Sequence, residues 1–282
     1  MKSTTKTTLG VVGYGVMGAA IGRCYARSDE LQERFTLNIL ARKPPENERG
    51  DRPFNFASSL EELAVKSDII IIAVRTEQVK QAVLDIGQYL PADTPDKSRL
   101  VISLATGVPI SVIDEAGQGK LAVARVMPNV LLEVNRGIFG LCAEKNLSDA
   151  HKEMIHFLFD RLGTVIELDE AQMNNFTGLA GCGPGFLFYI MDAFIEAGVS
   201  IGLTREASRS IAIGLMGGCA ELASSTGRHP AILREQGISP AGMTITGINH
   251  LDRCGVRGHI IDGVKTAYEH GKVMDQDTVS GT

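Results

Sequence analysis

Short apolar runs alternate with amphipathic stretches through the first half of the chain. Leu9–Val12, Leu37–Ala41, Asp68–Val74, Leu100–Leu104 and Leu121–Met127 are almost continuously apolar. That is the pattern of strands covered on both faces, not of strands with one wet face. Between them Val16–Arg27, Leu60–Lys66, Glu77–Tyr89 and Pro109–Glu115 have helical spacing. Strand–helix alternation of this kind predicts a doubly wound, mostly parallel sheet. Two further strands, Gly137–Ala143 and Thr164–Leu168, flank a helix at Ser148–Leu162 and are expected to finish the sheet. From Asp169 the strand pattern stops. Helices are predicted over Glu170–Leu179, Gly185–Ile201, Arg205–Ser225, Ala231–Glu235, Met243–Cys254 and Arg257–Lys272, with a polar, frayed tail from Asp275. In Arg205–Ser225, Ile211, Leu215, Cys219 and Leu222 share one face. Gly214, Gly217 and Gly218 lie in the same helix and weaken it. The expectation is therefore two domains: an α/β sheet domain over residues 1–168 and an all-α domain over residues 169–282.

Composition narrows the function classes. The chain has 282 residues, 44% hydrophobic and 22% charged, with a net charge of −5. This composition supports a large folded core. It argues against a nucleic-acid-binding surface, which needs a basic excess to neutralise phosphates. Wholly apolar stretches such as Ile69–Val74 fall far short of the roughly 18 residues that span a bilayer. The polar opening Met1–Lys6 lacks a signal-peptide core, so no membrane association and a cytoplasmic location are expected. Cysteines 24, 142, 182, 219 and 254 form no Cys-x-x-Cys pair and are read as reduced thiols. His250 and Cys254, four apart, could share a helix face, but no further ligand cluster completes a metal site, and none is expected.

The chemistry begins at Gly13-Tyr14-Gly15-Val16-Met17-Gly18, a Gly-x-Gly-x-x-Gly between the first strand and the first helix. In that position the first glycine permits a tight turn and the second lets a pyrophosphate approach the backbone. The third allows close helix–strand packing, and the helix N-terminus offers free N–H groups to the phosphates. Val12 to Gly18 are thus expected to contact a dinucleotide. The second strand ends in Arg42-Lys43, with no acid for the ribose hydroxyls of NAD. Two cations suit a 2′-phosphate and favour NADP, unless they are ordinary solvated loop charges. The polar loop Pro44–Pro53 that follows is a candidate cover for the adenine side. Val74-Arg75, Ala105-Thr106 and Met127-Pro128-Asn129 end later strands at the same rim. The Asn129 amide is open to a nicotinamide amide or to a backbone loop.

Two segments of the helical half look specialised. Thr177–Gly185 packs four glycines and a proline into nine residues, which predicts a buried break in the helix with free N–H groups. Ser239-Pro240-Ala241-Gly242-Met243-Thr244 stands before a helix, where Ser239, the amides near Gly242, and Thr244 can cradle a carboxylate; by spacing alone each segment reads first as a helix–helix turn with a capping hydroxyl.

Taken in order, the Gly-x-Gly-x-x-Gly, Met127-Pro128-Asn129, Thr-Gly-Leu-x-Gly-x-Gly-Pro, Glu196-Ala197-Gly198-Val199 with Gly202-Leu203, His229-Pro230 and Ser-Pro-x-Gly-x-Thr motifs resemble the pyrroline-5-carboxylate reductase family over nearly the whole chain. The resemblance implies a Rossmann domain followed by a helical domain that interlocks with a second subunit, giving a homodimer or a multiple of dimers. It implies NAD(P)H-dependent reduction of the cyclic imine 1-pyrroline-5-carboxylate to L-proline. It places the substrate carboxylate on Ser239 and the amides of Gly242 and Met243, and Thr244 beside the ring nitrogen. Glu170 matches a substrate-contacting position. Gln236 matches a polar position that reaches the cofactor, and Val12 to Met17, Arg42, Val74, Arg75 and Thr106 match cofactor contacts. The sequence also departs from the family: Ala180-Gly181-Cys182-Gly183-Pro184-Gly185-Phe186 replaces Ser-Gly-Ser-Gly-Pro-Ala-Tyr, and Ala241 replaces a glycine. Met243 takes a position that is often small or Thr. Arg75-Thr76 and Val130-Leu131 depart from Lys-Pro and Thr-Pro. Ala241 fits the loop only if no positive φ is needed there. Other readings are a paralogue acting on a related cyclic imino acid, or an NADP sensor without turnover.

Overall fold

A computed structural model of the chain describes residues 6–44 and 52–280, with backbone alone for 275–280. The eight described strands are β1 Thr7–Val12, β2 Phe35–Leu40, β3 Asn55–Phe56, β4 Ile69–Ile72, β5 Leu100–Ser103, β6 Ala122–Met127, β7 Gly137–Ala143 and β8 Gly163–Glu167. They form one sheet in the order β3-β2-β1-β4-β5-β6-β7-β8, parallel except where β6 meets β7. The first six follow the 3-2-1-4-5-6 order of dinucleotide-binding folds, so the expected doubly wound sheet is present. Its core lies on both faces. Ile69 and Ile71 of β4 join the cluster containing Leu9, Val11 and Ile102, while Ile70 and Ile72 join the opposite one with Val12, Val101 and Val123. This two-sided burial is why β4 reads Ile-Ile-Ile-Ile with no alternation.

The helices of the sheet-bearing half are α1 Val16–Ala26, α2 Asp29–Arg34, α3 Leu60–Lys66, α4 Val79–Tyr89, α5 Ile110–Ala116, α6 Asp149–Phe159 and the short α7 Met173–Phe176. Those that follow are α8 Gly183–Ser200, α9 Arg205–Thr226, α10 Pro230–Gln236, α11 Met243–Arg253 and α12 Val256–Ser280. The backbone forms two compact units. One comprises the residues up to Gly181 together with those from Ala267 onward; the other is Cys182–Thr266.

Several local expectations change. Thr177–Gly181 does not break the helix; it winds as a π-turn between α7 and α8, so Glu170–Ser200 is one helical run. A π-turn keeps its N–H groups paired one residue further back, and Pro184 is accommodated because it falls in the first turn of α8, where its missing N–H is not needed. The segment after β4 starts as a 3₁₀ turn, Thr76–Gln78, before α4. The polar tail is helical to Ser280. Two elements were missed. β3 is two residues long. α2 buries only Leu31, so it has no apolar stripe, although Ser28 caps it by accepting from Leu31 N at 3.3 Å and Asp29 and Glu30 open it. The Pro44–Pro53 loop lies, over residues 45–51, outside the described residues.

In the helical unit a single chain buries little. Tyr189 and Ile201 are each 80% exposed, and Leu187, Phe188, Phe194 and Leu215 are all more than half exposed. By length and composition Glu170–Ser200 is apolar enough to cross a bilayer.

Candidate dinucleotide cleft and substrate loop

β1 pairs with β2 on one side and β4 on the other, so the chain diverges at its carboxyl end and leaves a crevice there. The turn into α1 depends on two glycines. Gly13 has φ 107°, and a Cβ on it would strike the Ala73 carbonyl; a Cβ on Gly18 would run into the Gly13 carbonyl. Gly15 is the opposite case: a Cβ there would meet nothing within 4 Å. Gly15 is also the N-cap of α1 with no capping side chain, and the amides of Val16, Met17 and Gly18 have no acceptor among the described residues. Open space before unpaired N–H groups at a helix N-terminus fits a pyrophosphate.

A cleft of about 970 Å³ lies at this point, lined by Val12, Gly13, Tyr14 and Gly15, by Arg42 and Lys43 after β2, and by Val74 and Arg75 after β4. Eight expected cofactor positions thus share one cavity. Val16 is exposed beside it, and Met17 packs on the sheet core. Arg42 and Lys43 are exposed and carry no ion pair among the described residues. Arg75 is 4.0 Å from Glu77, with its side chain 85% exposed. The sequence reading missed the Gln78, Gln81, Ala82 and Asp85 face of α4, which also lines the cleft. Its i, i+3, i+4, i+7 spacing, flanking buried Val79, Val83 and Ile86, looks like any solvated helix face.

Other rim residues are tied to the protein. Thr76 Oγ1 donates to the Thr106 carbonyl at 3.1 Å, and Thr106 Oγ1 reaches Met127 Sδ at 3.6 Å. Ala105 N donates to Ser103 Oγ at 3.3 Å. Asn129 is buried, and of its two open partners the backbone takes it. Nδ2 donates to Ala180 O at 3.0 Å, while Oδ1 accepts from Leu131 N at 3.2 Å and Ile138 N at 3.3 Å. These three bonds make Asn129 a brace between β7, the turn after β6 and the π-turn. Glu170 Oε1 accepts from Ile110 N at 2.7 Å and from Arg125 Nη1 at 2.8 Å. Cys142 stands opposite Arg125 in the β6–β7 ladder, and burial, followed by the Glu170 charge, pushes its thiol up.

The remaining predicted residues belong to the helical unit. With its amide oxygen turned toward Arg228, Gln236 at the end of α10 accepts from Nη1 at 2.6 Å. Gly242 is the N-cap of α11 without a capping side chain, and the Met243 and Thr244 amides have no acceptor among the described residues. Gly242 N donates to Ser239 O at 3.0 Å, folding the loop so that Ser239 Oγ lies against the Gly242 α-carbon, where a Cβ would strike it. Met243 is 94% exposed and Thr244 is exposed. Ala241 adopts φ 56°, the left-handed conformation that its replacement of glycine makes costly. At roughly 1 kcal/mol for a non-glycine residue there, Ala241→Gly is expected to raise Tm by about 1–3 °C in thermal unfolding; a fall would mean that the loop is not strained.

Comparison with known proteins covers both halves. Residues 170–274 match the family described as pyrroline-5-carboxylate reductase dimerisation, and residues 8–107 match the one described as NADP oxidoreductase coenzyme F420-dependent. The pyrroline-5-carboxylate reductase of Methanosarcina acetivorans is 32% identical over 209 residues, covering 74% of this chain and 76% of that protein. That of Arabidopsis thaliana is 28% identical over 95% of each. The crystal structure of Plasmodium falciparum pyrroline carboxylate reductase with NADP bound superposes with a TM-score of 0.84 at 27% identity, over 95% of this chain and 98% of that one. A relative 32% identical, of which this chain covers 76%, establishes that the chain belongs to the pyrroline-5-carboxylate reductase family, in keeping with the match of residues 170–274 to that family's dimerisation model.

Proposed function

We infer that this chain reduces the C=N bond of 1-pyrroline-5-carboxylate to give L-proline, with NADPH as the reductant. One observation carries the reading: a dinucleotide turn with a basic β2 end stands in a chain whose residues 170–274 match the reductase dimerisation family. NADPH, when bound, supplies the hydride that adds to the C=N carbon. The amides at the N-terminus of α11 and the Ser239 hydroxyl hold the substrate carboxylate. The Thr244 hydroxyl accepts from the protonated ring nitrogen and fixes which face is presented. A protonated imine is already a good hydride acceptor, so orientation provides much of the rate. Ala241 takes a glycine-type φ in spite of its methyl group, so the loop keeps the family's conformation only at the expense of strain at this residue. The partners are a small-molecule imino acid and a second copy of the chain, in the cytoplasm, without nucleic acid or a membrane surface.

Three measurements test this. In the first, NADPH oxidation is followed optically with a panel of cyclic imines. Thr244→Ala should lower kcat/KM by about ten- to a hundredfold, the worth of one hydrogen bond to a charged nitrogen, with NADPH binding unchanged. 1-Pyrroline, lacking the carboxylate, should be a poor substrate; equal turnover of the two rings would place the site elsewhere. In the second, Arg42→Asp should cut the NADPH-over-NADH preference at least about tenfold, one charge-assisted phosphate contact. No preference in the unaltered chain would remove the 2′-phosphate reading. The third is light scattering at micromolar concentration. It should give twice the 30.2 kDa chain mass or a multiple of that, because the exposed apolar helices need a partner surface; a monomer would contradict it.

A further inference from the structure

Arg125 is an unusual side chain to find on a central strand. Its side chain is 6% exposed, its Nε is buried without a hydrogen-bond partner, and its Nη1 donates to Glu170 Oε1 at 2.8 Å. The same oxygen accepts from Ile110 N, the first residue of α5, at 2.7 Å. One carboxylate oxygen therefore joins β6, the start of α5 and the first turn of the Glu170–Ser200 helix. The loop between β5 and α5, residues 104–109, is then held at both ends. At one end the Thr106 carbonyl accepts from Thr76 after β4, and its hydroxyl meets Met127 of β6; at the other, Ile110 is fixed by Glu170.

This loop lies on the rim half opposite Arg42 and Lys43. A dinucleotide whose 2′-phosphate lies at the end of β2 crosses the β1/β4 crevice and brings its other half toward the ends of β4, β5 and β6. We propose that Glu170, oriented by buried Arg125, is a positioning residue that sets the β5–α5 loop against the nicotinamide half of NADPH, and is not primarily a substrate contact. The proposal rests on the reductase reading. It assigns the Arg125–Glu170 pair to hydride geometry, leaving affinity for the adenine half to Arg42 and Lys43. Arg125 is buried while the Glu170 side chain is 37% exposed, so the pair is anchored at its cationic end and open on its carboxylate side, unlike a surface pair, which contributes little. An unneutralised guanidinium at this site is strongly disfavoured, so the pair is maintained as a unit.

The test uses the full-length chain with Glu170→Gln and Glu170→Ala. Adenosine 2′,5′-bisphosphate, the adenine half alone, should bind both variants within about twofold of the unaltered chain. The kcat should fall about tenfold or more for Ala and less for Gln, which keeps an acceptor for Ile110 N, because a small displacement of reacting groups is costly. Hydrogen exchange of the peptide spanning Ile110 should speed up in Glu170→Ala, and by less in Glu170→Gln, which loses the charge that Arg125 holds in place, a readout independent of turnover. A raised substrate KM with unchanged kcat would put Glu170 on the substrate and overturn the proposal, as would unchanged exchange at Ile110. If Glu170→Ala does not fold, Glu170→Gln decides by the same criteria. An unaltered chain that turns over no imine would instead refute the reductase reading, and the exchange of Ile110 together with NADPH binding would still decide whether Glu170 sets the loop.

Discussion

The carbonyl of Gly13 packed against the α-carbon of Gly18 is the contact on which the sheet unit's chemistry depends. There is no room between them for even one methyl group. That approach brings the N-terminus of α1 directly onto the end of β1, with the Val16, Met17 and Gly18 amides lacking an acceptor among the described residues and open space at Gly15. A longer turn would relieve the crowding, but it would move these donors away from the β1/β4 divergence, where a phosphate can enter. Glycine at 13 and 18 is thus a packing requirement, and at 15 a requirement for access. One motif carries two kinds of constraint, which is why its context identifies it more surely than its letters.

Around this point the rim of the sheet divides by charge and by bonding. The β2 end offers Arg42 and Lys43 on exposed side chains without ion-pair partners among the described residues, so their charge is available to an anion. The β5 and β6 ends are the reverse: Thr106, Asn129 and Glu170 are each tied to backbone or to a side chain. Free cations suit a binding end, where affinity comes from charge. Fixed polar groups suit a reacting end, where rate comes from geometry. The division follows from the topology, since both ends belong to the same carboxyl edge.

Much of this was legible in the sequence because both-face burial leaves a simple trace. Each strand of the central sheet is a short apolar run, and the Gly-x-Gly-x-x-Gly falls between the first run and the first helix. The elements that escaped leave weaker traces. β3 is shorter than any period, α2 has one buried residue, and the cleft-lining face of α4 is polar whether it faces ligand or water. Asn129 was picked out at the rim and Glu170 by the family resemblance as a substrate contact, but their partners Ala180 and Arg125 are distant in sequence, so no local pattern showed these bonds. The Thr177–Gly185 segment misled for a physical reason: its glycines tolerate a π-turn, so the helix absorbs an irregularity instead of ending.

The helical unit shows what apolar periodicity cannot resolve. In α9, Ile211 and Leu215 share one face and Ile213 lies on the opposite one, yet all three are about half exposed. Only Ser208 and Ala212 are buried, Ser208 against the Gly198 backbone of α8. A helix apolar round its circumference is a helix meant to be enclosed. One chain encloses a single strip of it. The open faces at Gly214, Gly217 and Gly218, where a Cβ would meet nothing, leave α9 ready for close approach by another backbone. The glycines cost helix stability in the isolated chain, and only such an approach, which a larger side chain would block, repays that loss with dispersion contact. The sequence of α9 thus fits the homo-oligomer suggested by the match of residues 170–274 to a dimerisation family.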